Sequence, residues 1–118
     1  MSKITGIGGV FFRANDPIAL KRWYTDVLGM DITESVWQQA AGPTVFEPFA
    51  ADSDYFSSDK QWMINLRVTD LEKFISQLKA KGVEVEVCEE WNSMPEVGKF
   101  ARVHDPENNP IELWEPAT

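Results

Sequence analysis

Glu112 stands between Ile111 and Leu113 near the end of the 118-residue chain. In a strand, Ile111 and Leu113 turn to one face, and Glu112 and Trp114 to the other. On a face that lines a cavity, such a carboxylate can act as a general base; on an open face it is only a solvated charge. Asn65 lies two residues beyond Met63, on the same side of a second apolar strand, and its amide can hydrogen-bond to an acid there. Arg13 follows Gly9 by four residues on one strand face and has a counterpart in Arg67, so a salt bridge to one of the many acids is its simplest reading. His104 is the single histidine and cannot by itself build a multi-imidazole metal site. Cys88 precedes Glu89 and Glu90, whose negative charge opposes a reactive thiolate. Gly6-Ile7-Gly8-Gly9 precedes a strand instead of opening a helix, and Phe11 stands where a third glycine would be needed, so a nucleotide loop is not expected.

The elements that must hold these groups can be read from periodicity. A strand is expected from about Ile4 through Val10-Phe11-Phe12-Arg13, stopped by Asn15-Asp16-Pro17. Asp16 is a good N-cap and Pro17 suits the first helical position. Leu20, Trp23, Tyr24, Val27 and Leu28 then form one helical face, closed by Gly29. Met63–Val68 reads as a strand, Thr69 and Glu72 as a capping box, and Leu71, Phe74, Ile75 and Leu78 as a second helical face ending at Gly82. Val83, Val85 and Val87 alternate with acids, and Phe100–Val103 and Ile111–Trp114 complete the strands. Met30–Val36 and Thr44–Phe49 are weaker strand candidates, and residues 50–61 read as a polar linker. Arg13 and Arg67, like Asp16 and Asp70, are 54 positions apart, and Gly29 and Gly82 are 53 apart, which points to an internal duplication with modules at about 1–58 and 59–118.

Composition limits the partners. The net charge is −8, from 11 basic and 19 acidic residues, and both halves are acidic. Nucleic acid and anionic membranes are therefore not expected as partners. No apolar run approaches the ~20 residues of a membrane span. A single cysteine excludes an intrachain disulfide, and a cytoplasmic location is the expectation. The 14 aromatic residues (5 Trp, 7 Phe, 2 Tyr) can line a core, a pocket or an interface.

The repeated strand–helix–strands unit, the phrase Phe12-Arg13-Ala14-Asn15-Asp16-Pro17 leading to Trp23-Tyr24 and Leu28-Gly29, and the close Asp105-Pro106-Glu107-Asn108-Asn109-Pro110-Ile111-Glu112-Leu113 resemble the vicinal oxygen chelate superfamily. That superfamily includes glyoxalase I, bleomycin-resistance proteins and extradiol dioxygenases. The resemblance implies an α+β fold in which two βαβββ modules form a curved, open mixed sheet around a cup-shaped cavity, commonly in a homodimer. It implies metal-ligand positions at Gly9, Glu47, Met63 and Glu112. Only Glu47 and Glu112 carry carboxylates; glycine cannot ligate, and a thioether suits hard divalent ions poorly. No tightly bound cofactor is therefore expected, at most a weakly held divalent ion. The resemblance gives Arg13 a second reading, as a contact to the carboxylate of glutathione. It implies a glyoxalase-like lyase or isomerase acting on a small oxygen-bearing metabolite, with Glu112 catalytic and Arg13, Asn65 and Trp114 contacting the ligand. The alternative it implies is a metal-free protein of the bleomycin-resistance type that binds or sequesters a small molecule.

Overall fold

The computed structural model of the chain describes residues 2–118. Helix α1 spans Pro17–Asp26, with the Asp16 carboxylate accepting from the Ala19 amide at 3.1 Å as its cap. Helix α2 spans Leu71–Ala80. Its N-cap is Asp70, not Thr69: the Asp70 carboxylate accepts from Lys73 N, and Glu115 from the C-terminal strand accepts from Leu71 N at 2.7 Å. Gly29 and Gly82, beyond the two helix ends, adopt φ of +73° and +83°. Such left-handed residues are what end a helix at glycine.

The main sheet has three strands in the order β3 (Ile64–Arg67), β5 (Pro110–Pro116), β4 (Gly98–His104). Strand β3 runs parallel to β5, and β4 antiparallel to it. Register divides the sheet into two faces. Ala101 opposite Leu113 and Val103 opposite Ile111 face the helices and form the core with Leu20, Tyr24, Leu28, Leu71 and Leu78. Arg102 opposite Glu112 and Phe100 opposite Trp114 take the other face, together with Asn65, which pairs Glu112 from β3.

The Asp105–Pro110 phrase is a fastener between α1 and the sheet. The Asp105 carboxylate accepts from Tyr24 Oη at 2.7 Å, Asn109 Nδ2 at 2.8 Å, Glu107 N at 2.9 Å and Asn109 N at 3.0 Å. Glu107 reaches the start of α1, accepting from Asn15 N and Asp16 N at 2.6 and 2.9 Å. This part of the family phrase thus works by holding helix and hairpin together.

The first module departs from expectation. No strand forms between Ile4 and Arg13; Ile4 and Phe11 are 94% and 95% exposed. A strand exists only when paired, and among the described residues this segment pairs with no sheet edge. Met30–Val36 becomes a small hairpin, β1 (Ile32–Thr33) and β2 (Val36–Trp37), because Glu34 and Ser35 both adopt positive φ and turn the chain. Thr44–Phe49 forms no strand: Pro43 and Pro48 remove backbone donors on both sides of its apolar run. The Val83–Val87 segment keeps one β-bridge, between Glu86 and Arg102. The three-stranded sheet therefore comes from residues 64–116, and the residues before it contribute α1 and the small β1–β2 hairpin in place of the expected first βαβββ module. Among the described residues no helix is long and apolar enough to cross a membrane.

Candidate functional site

Strand β5 is buried over Pro110–Trp114 because both of its faces are covered. The helices cover one. Glu112, 7% exposed, lies on the other. Its Oε1 accepts from Asn65 Nδ2 at 2.7 Å, and its Oε2 accepts from the Tyr55 hydroxyl. Across β4, Arg102 is also 7% exposed. Its Nη1 donates to the Tyr55 carbonyl oxygen at 3.0 Å. The guanidinium carbon lies 5.0 Å from the centre of the Tyr55 ring and 4.9 Å from that of Trp91, within cation–π range. Phe49 and Trp91 both meet the Tyr55 ring edge-on. The result is a polar pair on a sheet face, roofed by aromatic rings from outside the strands.

Tyr55 links the two charged groups, with its hydroxyl on Glu112 and its carbonyl on Arg102. Burial, and then the bond to the Glu112 carboxylate, push its phenol up to about 12, so it is a hydrogen-bond donor throughout the neutral range. Trp91 is presented by a short 3-10 helix, Glu89–Asn92. That helix is tied to β4 by Asn92, whose Oδ1 accepts from Phe100 N at 2.8 Å.

Of the residues singled out from sequence, the structure brings together Glu112 and Asn65. Trp114 flanks them as a wall: its ring stacks on Phe100 at 6.2 Å, and its indole N–H donates to the Val97 carbonyl at 3.0 Å. Arg13 is exposed ahead of α1. Arg67 is half-buried and donates to the Ala40 carbonyl at 3.0 Å, so the two arginines occupy different environments. His104 pairs weakly with Glu86 on the surface at 3.7 Å.

The donor set does not fit the divalent ion that the resemblance implies. Gly9 offers no ligand, Met63 only a thioether, and Glu47 is exposed on the irregular 38–63 segment. Both oxygens of Glu112 are engaged by Asn65 and Tyr55. Among the described residues no three His, Cys, Asp or Glu side chains come together. Hard cations need several such donors at once.

The sequence does not single out Arg102, and Tyr55 and Trp91 stand there only among the aromatics outside the helices, some of which are expected to line a cavity. Strand alternation places Arg102 on the face of Phe100, and that signal was available. Nothing in residues 50–61 marks Tyr55, since a turn-rich segment does not reveal what it folds over. A separate shallow groove of about 400 Å³ runs along α1 past Leu20, Trp23, Val27 and Pro106, and none of the Glu112 cluster lines it.

The fold has solved counterparts. TnmS3, an antibiotic binding protein from Streptomyces sp. CB03234, is 23% identical with a TM-score of 0.65, over 99% of this chain and 100% of that one. A glyoxalase/bleomycin resistance protein from the same Streptomyces is 24% identical with a TM-score of 0.53, over 86% of this chain and 92% of that one. No curated protein matches the chain. The family model for the Glyoxalase/Bleomycin resistance protein/Dioxygenase superfamily matches residues 6–113, spanning both helices, most of the sheet and all of the Asp105–Leu113 phrase. With helix, sheet and fastening turn arranged as that phrase requires, the chain belongs to this superfamily.

Proposed function

We propose that the chain is a small-molecule-binding protein that works without a tightly held metal and takes an aromatic ligand on the sheet face bearing Glu112 and Arg102. The observation that carries this reading is the cluster itself: a buried carboxylate and a buried guanidinium, side by side, enclosed by Tyr55, Trp91 and Phe49. Sites for small molecules are typically apolar and aromatic with a few fixed polar groups. The likeness to TnmS3 supports the fold, and the binding role rests on the cluster. Titration with a panel of planar aromatic compounds, followed by calorimetry, tests it. Binding that weakens in Trp91→Ala supports the reading; no binding by any compound overturns it. Elemental analysis after dialysis tests the metal: one equivalent of zinc, nickel or iron per chain would overturn the metal-free part.

The glyoxalase-like alternative has Glu112 in its favour, as a buried carboxylate on a sheet face. Turnover of the hemithioacetal of methylglyoxal and glutathione, lost in Glu112→Gln, would replace the binding role with a lyase.

The same reading includes a homodimer. The radius of gyration is 15.0 Å, against about 13.5 Å for a domain of this length, and Ile4, Val10, Phe11 and Phe12 are at least half exposed. A second copy is the occupant that would cover this segment. Light scattering should give twice the 13.4 kDa of one chain; a monomer at working concentration overturns the dimer.

A further inference from the structure

Arg102 has an unused side. Its Nη1 is bonded to the Tyr55 carbonyl, but Nε and Nη2 are buried and have no hydrogen-bond partner among the described residues. Nε–H and one Nη2–H point the same way, as the two prongs with which arginine grips a carboxylate. Leaving charged donors buried and unmatched is costly. Two acids lie opposite it, Glu112 on β5 and Glu86 at the isolated bridge, and neither forms an ion pair with Arg102: the Glu112 oxygens are held by Asn65 and Tyr55, and Glu86 faces His104. The prongs are thus unclaimed by the described residues.

We propose that the Nε–Nη2 edge of Arg102 receives the carboxylate of an aromatic acid, whose ring packs against Trp91 when the Tyr55 segment moves aside. The proposal rests on the binding role above and names the ligand class. Tyr55 already presents the two features such a ligand would bring, an aromatic ring on the guanidinium and an oxygen hydrogen-bonded to it. It does so from residues 38–63, which lack regular secondary structure and can shift without unpairing a strand. The overall charge of −8 opposes an anion at long range. Screening over about 8 Å at physiological salt leaves the local guanidinium to decide. The Asn65 donor, which a shift of Tyr55 leaves in place, partly offsets the Glu112 charge nearby.

The test is calorimetric titration of the full chain with 2-naphthoate and 2-naphthamide, which share a ring system and differ in charge. Naphthoate is expected to bind at least about tenfold more tightly, the scale of a charge-assisted hydrogen bond. Arg102→Lys keeps the charge but loses the fork, and is expected to remove most of that preference. Equal affinity for the two compounds, or an unchanged preference in Arg102→Lys, overturns the proposal. If the amide binds as well as the acid and both weaken in Trp91→Ala, the aromatic site stands and the carboxylate assignment fails. If neither compound binds, the carboxylate assignment fails, and the rest of the panel then decides the binding role. The comparison on the unaltered chain needs no variant, so it decides the matter even if Arg102→Lys does not fold.

Discussion

Arg102 and Glu112 are cross-strand partners, equally buried, and do not form an ion pair. Tyr55 stands between them in the hydrogen-bond network, donating to one and accepting from the other. Opposite charges at adjacent positions on a sheet would ordinarily be expected to pair. Here each charge is turned to a third residue, which leaves Glu112 fully engaged and Arg102 with donors to spare.

Removing the Tyr55 hydroxyl tests that network. Tyr55→Phe keeps the ring over Arg102 and leaves Glu112 Oε2 without its donor. A buried acceptor losing its partner costs about 1–3 kcal/mol, reduced here because Tyr55 is only half-buried. Urea unfolding should show a loss at the low end of that range.

The same phenol sets an alkaline limit. The folded chain raises Tyr55 from 10 to about 12, chiefly by burial, and raises Tyr24 further through burial and its bond to Asp105. The neutral phenols are favoured in the folded state, so the unfolded chain ionises first. Their contribution to stability is complete below pH 10 and is lost progressively as pH rises through 10 toward 12. The ultraviolet absorbance of tyrosinate should stay low in the folded protein at pH 10. Tyr55→Phe should remove the first step of its rise.

Much of residues 59–118 was legible in the sequence. Both helices are where their apolar periodicity puts them, and Glu112 and Asn65 share a face because strand alternation is purely local. What could not be read was pairing. The Ile4–Arg13 run has the composition of a strand, but a strand exists only against an edge, and no local pattern states where that edge is. The Glu34-Ser35 turn uses left-handed backbone at two non-glycine residues, which composition does not announce. Tyr55 was invisible for a third reason: its role comes from where an irregular segment lies in space.

Asp105 should be among the costliest positions to alter. Its carboxylate, in a residue 4% exposed, satisfies four donors that join α1 to the β4–β5 turn. Asp105→Ala strands the Tyr24 hydroxyl and two backbone amides together, and about 3 kcal/mol or more should be lost. Tyr24→Phe removes one of those bonds and should cost about 1–2 kcal/mol. Thermal melts of the two variants should rank in that order; equal losses would show that the turn holds itself without the carboxylate.

Gly98 begins β4 at φ +130°, a region that side chains avoid. A Cβ there would lie 2.2 Å from the Glu115 carbonyl oxygen and 2.8 Å from the Trp114 indole nitrogen. Backbone cannot give way as a flexible side chain can, because Glu115 is held in register opposite Lys99. Gly98→Ala should therefore destabilise the chain by about 1–3 kcal/mol through strain and the clash together. The effect should also reach the site. The Trp114 indole donates to Val97 and its ring stacks on Phe100, so displacing it loosens the wall beside Glu112. Binding of an aromatic probe should weaken in Gly98→Ala even at temperatures where circular dichroism shows the variant folded. Unchanged binding in a destabilised variant would separate the role of Gly98 in the fold from any role of Trp114 in the site.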